Sequence, residues 1–415
     1  MSTGLSRRLG TGDAVVIGLG SMIGAGVFAA FGPAARAAGA ALLAGLAIAA
    51  VVAYCNATAS AQLAAQYPAS GGTYVYGRER LGPWWGFLAG WSFLVGKTAS
   101  CAAMALTFAA YTVPAGWQRA VAAGAVVLLT AVNYRGITRT AGATRLVVAV
   151  VLCCLAVGVG ASLAGGDPEP ARLSTGTAGG GWYGVLQSAG LLFFAFAGYA
   201  RIATLGEEVR DPGRTIPRAI PLALGLAVVV YAAVAVTLLL TLGADRIAGS
   251  AAPLADAVTA GTWDAAGPFV RIGAAAAALG ALLALIAGIG RTGLAMARES
   301  DLPRWLAAVH PRHAVPHRAE LVLAAVVCAL VLTVDLREVI GFSSFGVLLY
   351  YFVANVAAFT QPSDRRRWPR ALQVLGAAGC LVLGATLPWE AVVAGAAVVA
   401  VGVLYRAARL RATRS

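Results

Sequence analysis

Near the N-terminus an apolar stretch, Ala14 to Ala30, is interrupted at its centre by Ser21-Met22-Ile23-Gly24-Ala25-Gly26-Val27-Phe28. Glycine costs about 1 kcal/mol relative to alanine in a helix interior, and Gly18, Gly20, Gly24 and Gly26 crowd this one segment. In lipid every freed backbone N–H and C=O needs a partner. Non-helical backbone at membrane depth therefore survives only where it lines a buried site. An apolar segment broken in this way predicts a polar ligand at the break.

The rest of the chain supplies the membrane context. Of its 415 residues 60% are hydrophobic and 12% charged, too little polar surface to cover a soluble core of that size. Mean hydropathy is +0.79. Apolar runs of spanning length recur near 14–34, 39–63, 84–112, 119–134, 144–164, 183–206, 219–243, 267–297, 319–334, 338–360, 371–387 and 390–405. The expected fold is an all-α integral membrane protein of about twelve spans forming a single transmembrane domain over 1–415. No small-residue cleavage site follows the first apolar run, which reads as a retained span. With the N-terminus inside, only Arg36, Arg119, Arg172, Arg246, Arg271 and Arg337 fall on the outer side, against 24 arginines on the inner one. That bias predicts a multi-pass protein of the cell membrane with both termini cytoplasmic. The net charge of +14 then reflects orientation and attraction to anionic membrane lipid. Nucleic acid is not an expected partner, because no soluble face gathers the basic residues.

Other chemistries find little support. Cys55, Cys101, Cys153, Cys154, Cys328 and Cys380 all fall inside spans and read as packing residues. His310, His313 and His317 share one loop with Pro311 and Pro316, which reads as a proline-shaped connection rather than a metal site. Gly18-Leu19-Gly20 and Gly24 superficially match a dinucleotide loop. That motif needs a preceding strand and an acidic residue roughly 20 positions on, and no Asp or Glu occurs between Asp13 and Glu79. No cofactor is expected, and the spans lack the paired carboxylates or Ser/His/Asp set of an enzyme.

A second interruption falls in the sixth apolar segment, at Phe193-Phe194-Ala195-Phe196-Ala197-Gly198-Tyr199. Residues 13–165 and 182–360 then form two inverted repeats, with two extra helices over 370–406 and a basic tail at 407–415. Paired breaks at corresponding places in two halves point to a transporter's substrate site. Close helix packing by small residues is the competing account of the same glycines.

Several motifs together resemble the amino acid–polyamine–organocation superfamily of permeases, nearest its bacterial amino-acid permeases and cationic amino-acid transporters. They are Gly20 to Phe28, Tyr67-Pro68-Ala69-Ser70-Gly71-Gly72-Thr73-Tyr74, Phe193 to Tyr199 with Glu207 to Pro212, and Arg291 with Ala295 to Glu299. The resemblance implies a five-plus-five inverted repeat and a secondary amino-acid transporter working by alternating access. It implies that a substrate carboxylate meets amides of Ile23, Gly24, Ala25 and Gly26, where a helix N-terminus stabilises an anion. The substrate's amino group would meet carbonyls of Phe194, Ala195 and Ala197 around Gly198, with Phe194 and Phe196 closing over it.

Lys97, the one lysine, lies mid-span in Gly90 to Thr98. A lysine there costs roughly 2.5–3.5 kcal/mol on insertion scales. Burial disfavours its charged form, which suits a proton carrier or a substrate counter-ion. Several relatives place a lysine in helix five, at a position that falls near Val151 here; helix five of this chain has none. Nor is there a carboxylate below the sixth break, where cationic-substrate relatives often place one; Ala200 and Arg201 occupy it. The expected substrate is thus a neutral or acidic amino acid, with proton coupling or exchange; a polyamine or cationic amino-acid antiporter and a non-transporting sensor are the alternatives. Glu207, Glu208 and Arg291 at the inner mouth read either as a gate that breaks during transport or as solvated helix ends.

Overall fold

The computed structural model describes residues 9–67, 71–136, 141–174, 180–205 and 208–412. Helices α1 (Thr11–Met22), α2 (Ala25–Ala29), α3 (Phe31–Ala38), α4 (Leu42–Gln66), α5 (Thr73–Leu81), α6 (Pro83–Thr112), α7 (Gln118–Tyr134) and α8 (Ala141–Gly165) come first. They are followed by α9 (Gly181–Phe196), α10 (Ala200–Ala203), α11 (Pro212–Gly249), α12 (Pro253–Thr259) and α13 (Gly267–Arg298). α14 (His317–Thr333), α15 (Leu336–Phe359), α16 (Arg370–Ala385) and α17 (Trp389–Ala412) complete the fold. Among the described residues the strand-like pairing is one isolated bridge, Leu9 to Val209.

Among the described residues ten helical stretches are long and apolar enough to cross a membrane. Two of the twelve expected spans fall on shorter helices, α14 with 17 residues and α16 with 16. Prolines set those limits: Pro316 and Pro369 stand just before the two helices, and Pro388 follows α16 closely. Exposed Trp117, Trp182, Trp263 and Trp389 mark the starts of α7, α9, α13 and α17. A chain that crosses once per span brings those four ends to one side, as an interfacial aromatic belt requires.

α6 is the central pillar, packed most extensively against α15 and α13. Gly96 on α6 meets Gly346 on α15 backbone to backbone, and Ser100 and Ser343 share a 2.7 Å hydrogen bond across the same seam. Packing partners recur in matched pairs. α1 lies against α11 as α9 lies against α4; α1 meets α8 as α9 meets α15; α6 meets α15 as α13 meets α8.

Candidate functional site

The first segment breaks where its glycines cluster. α1 ends at Met22, Ile23 leaves helical geometry (φ −77°, ψ 62°), and Gly24 (φ −107°, ψ −138°) redirects the chain into α2. Ile23 N–H still bonds back to Leu19 O, and Gly24 N–H turns onto Met22 O at 2.8 Å. The next amide, Ala25 N–H, finds only the thioether of Met104 on α6, at 3.2 Å. Sulfur is a weak acceptor, so this donor is poorly satisfied for so buried a site.

The sixth segment tightens rather than opens. After Phe196 the chain runs through a 3-10 turn, Ala197–Tyr199, into α10, with all residues near right-handed helical geometry. The carbonyl of Phe194 accepts the Ala197 amide. The freed carbonyls on this segment are accordingly fewer than the sequence suggested, and both of the others singled out there have side-chain partners. Ala195 O accepts from Tyr231 on α11 at 2.8 Å. Ala197 O lies 3.2 Å from Lys97 Nζ and 3.3 Å from the Tyr351 hydroxyl.

The two interruptions lock together through backbone. A Cβ on Gly26 would lie 2.5 Å from Ala195 Cα, and one on Gly198 would lie 2.2 Å from Ser21 O. These two glycines let broken segments cross in direct contact, so in this conformation they serve helix approach. Tyr231, fully buried, joins the same crossing: its hydroxyl is 2.7 Å from Met22 O and 2.8 Å from Ala195 O. One phenol thus serves a carbonyl from each break, and its single proton is shared between them. Phe196 packs on the Tyr231 ring at 5.0 Å, while Phe194 is buried beside the crossing.

Of the residues named from sequence, the structure gathers Ile23, Gly24, Ala25, Gly26, Phe194, Ala195, Phe196, Ala197, Gly198 and Lys97 into one buried centre. A cavity of about 20 Å³ adjoins it, lined by Gly20, Ile23, Val148, Val151 and Ala281 among others, with room for about one water. Val151 therefore stands beside the first break, where the resemblance puts a lysine in other members. The inner-gate residues are less assembled. Glu207 lies outside the described residues. Glu208 is held by its backbone, its carbonyl accepting Leu9 N–H at 3.1 Å, and makes no ion pair among the described residues. Arg201 is within Coulombic reach of both Glu208 and Arg291, the latter exposed. The three histidines pack their rings around Tyr134 at 5.2 to 6.3 Å, and backbone amides of Arg312 and His313 donate to His310 Nδ1.

Sequence inspection missed Met104, Tyr231 and Tyr351. Each is an ordinary apolar or amphipathic residue in an apolar helix, and only the crossing of helices gives it a role. Tyr231 had one usable signal: a phenol in the middle of a long apolar run needs a buried acceptor.

Comparison with known proteins bears on the whole chain. Residues 13–409 match the family described as Amino acid permease. The chain belongs to that family. It is an amino-acid transporter of the membrane. An uncharacterised transporter of Mycobacterium tuberculosis is 62% identical to this permease over 410 residues, covering 99% of this chain and 93% of that protein. Human cationic amino acid transporter 4 is 30% identical over 384 residues, 86% of this permease and 60% of the human protein. The branched-chain amino acid permease BcaP of Bacillus subtilis is 25% identical over 427 residues, 94% of this permease and 90% of its relative.

Proposed function

We propose that this permease moves a neutral or acidic amino acid by alternating access, through a site at the crossing of its two broken segments. The observation that carries the proposal is that side chains occupy the very backbone groups a zwitterion would use. Lys97 holds Ala197 O with an ammonium, as a substrate amino group would. Met104 holds the Ala25 amide with a weak acceptor that a carboxylate outcompetes. Binding then exchanges internal partners for the substrate's two charged ends, so the backbone groups stay satisfied while Lys97 is released. Release of Ala197 by Lys97 is the step at which a proton can couple to transport, as ionisable side chains inside spans serve proton relays. The matched packing pairs support two inverted repeats over 13–165 and 182–360, the arrangement in which one half rocks against the other.

Two relatives are named for different substrates, one for cationic and one for branched-chain amino acids. The site favours a substrate without a cationic side chain. Among the described residues the buried carboxylates are Asp301 and Glu320, and the latter bonds Asn133, away from the crossing. A cationic side chain would meet Lys97 with no counter-charge beside it. Ile23, Met104, Phe194 and Val151 surround the breaks with apolar surface.

Uptake of a labelled amino-acid panel into proteoliposomes, with and without a proton gradient, tests the reading. Saturable flux of neutral substrates is expected. In the same assay Lys97→Ala should lose the pH dependence and at least tenfold of the rate, with Lys97→Arg retaining charge but not the proton exchange. Wild-type rates and pH profiles in both variants overturn the role of Lys97. Binding without flux for every substrate overturns transport itself and favours a sensor.

A further inference from the structure

A second polar centre lies far from the broken segments, where α5, the end of α6 nearest Pro83, the segment after α13 and the C-terminal part of α17 meet. It encloses a cavity of about 560 Å³ bordered by Arg78, Arg304, Arg406 and Arg409 together with Glu299 and Asp301. Among the described residues four guanidinium groups line it with two carboxylates, and those carboxylates already have partners. Asp301 accepts from Arg406, from Tyr74 at 2.9 Å and from Arg78 at 3.4 Å; Glu299 pairs with Arg78 at 2.9 Å. Arg304 donates to Ser300 Oγ, a neutral acceptor, and Arg409 counts the Tyr405 hydroxyl and Leu302 O among its acceptors.

Arg406 is the decisive residue. It is almost fully buried, at 6% exposure, and its guanidinium faces the rings of Trp84 and Phe87 at 5.0 and 4.8 Å. Among the described residues its Nε nevertheless finds no hydrogen-bond partner. A buried charged donor without an acceptor is costly, and an acceptor on a bound ligand removes the cost. Planar guanidinium forks match phosphate oxygens, and basic pockets between spans on the arginine-rich side of a membrane protein suit lipid headgroups. The volume fits a headgroup or small phosphate compound rather than a bare point ion.

We propose that this cavity binds a phosphate-bearing anion, drawn either from an anionic phospholipid headgroup or from free phosphate in solution. The site shares no residue with the crossing of the broken segments. It ties the last helix to α5 and α13, so an occupant would brace the arginine-rich end of the bundle.

Native mass spectrometry of the full-length permease in detergent tests this, titrating phosphatidylglycerol, phosphatidylcholine and inorganic phosphate in separate arms. Phosphatidylglycerol should be retained in preference to phosphatidylcholine, with affinity falling roughly fivefold for each arginine removed in Arg304→Gln and Arg409→Gln and about thirtyfold in the double variant. Inorganic phosphate bound and lost with the same variants, without a lipid preference, supports the proposal with free phosphate as the source. Arg304 is exposed, so its variant tests the site without threatening the fold. Equal retention of the two lipids with no phosphate bound, or binding unchanged in the double variant, overturns the proposal.

Discussion

Tyr231 joins the two broken segments directly. Its hydroxyl reaches one carbonyl from each broken segment, so Tyr231→Phe removes the side-chain donor of Ala195 O and leaves Met22 O with the Gly24 amide. We expect the variant to lose about 1–3 kcal/mol of stability and to transport more slowly, read by thermal unfolding in detergent and by proteoliposome uptake. Gly26 makes a sharper case, because a Cβ there meets the backbone of Ala195. Gly26→Ala should cost about 1–3 kcal/mol through overpacking. Gly225→Ala, at a helical glycine with nothing within 4 Å of the added carbon, should be neutral or gain up to about 1 kcal/mol. Equal melting temperatures for the two variants would contradict the backbone contact at the crossing.

At the scale of elements, α6 links the halves of the site. It brings Met104 to the amide side of the first break and Lys97 to the carbonyl side of the second, two turns apart on one helix. Met104→Leu keeps the volume and removes the acceptor from Ala25 N–H. The variant should be less stable without substrate, and added substrate should raise its unfolding temperature by more than it raises the wild type's, since a bound carboxylate then satisfies an otherwise orphaned donor. A substrate-induced shift equal to that of the wild type would separate Met104 from the binding site. The break between α1 and α2 was legible because four glycines crowd one apolar run, where each weakens the helix. The sixth segment was legible as an interruption but not as a 3-10 turn, since its residues stay near helical geometry and differ only in which carbonyl each amide reaches.

Across the whole molecule, a buried ion pair fastens the final helix: Arg406 on α17 bonds Asp301, which also receives Tyr74 and Arg78 from α5. Asp301→Asn leaves that arginine buried without its counter-ion and should destabilise the permease by about 3–5 kcal/mol, measurable as a lowered unfolding temperature and a faster loss of monodisperse protein on heating. Membrane residence, helical class, the segment holding the first break and the family were all present in the chain as composition, glycine spacing and motif order. These are local quantities: an apolar run needs only its own length to span a bilayer, and a broken helix needs only its own glycines. The partners of the freed groups were decided by the tertiary structure alone. Met104, Lys97 and Tyr231 reach the breaks across separations of 79, 100 and 209 residues. No periodicity records such pairings, because a hydrogen bond between helices depends on how they cross and rotate against each other, which the packing of the complete bundle sets.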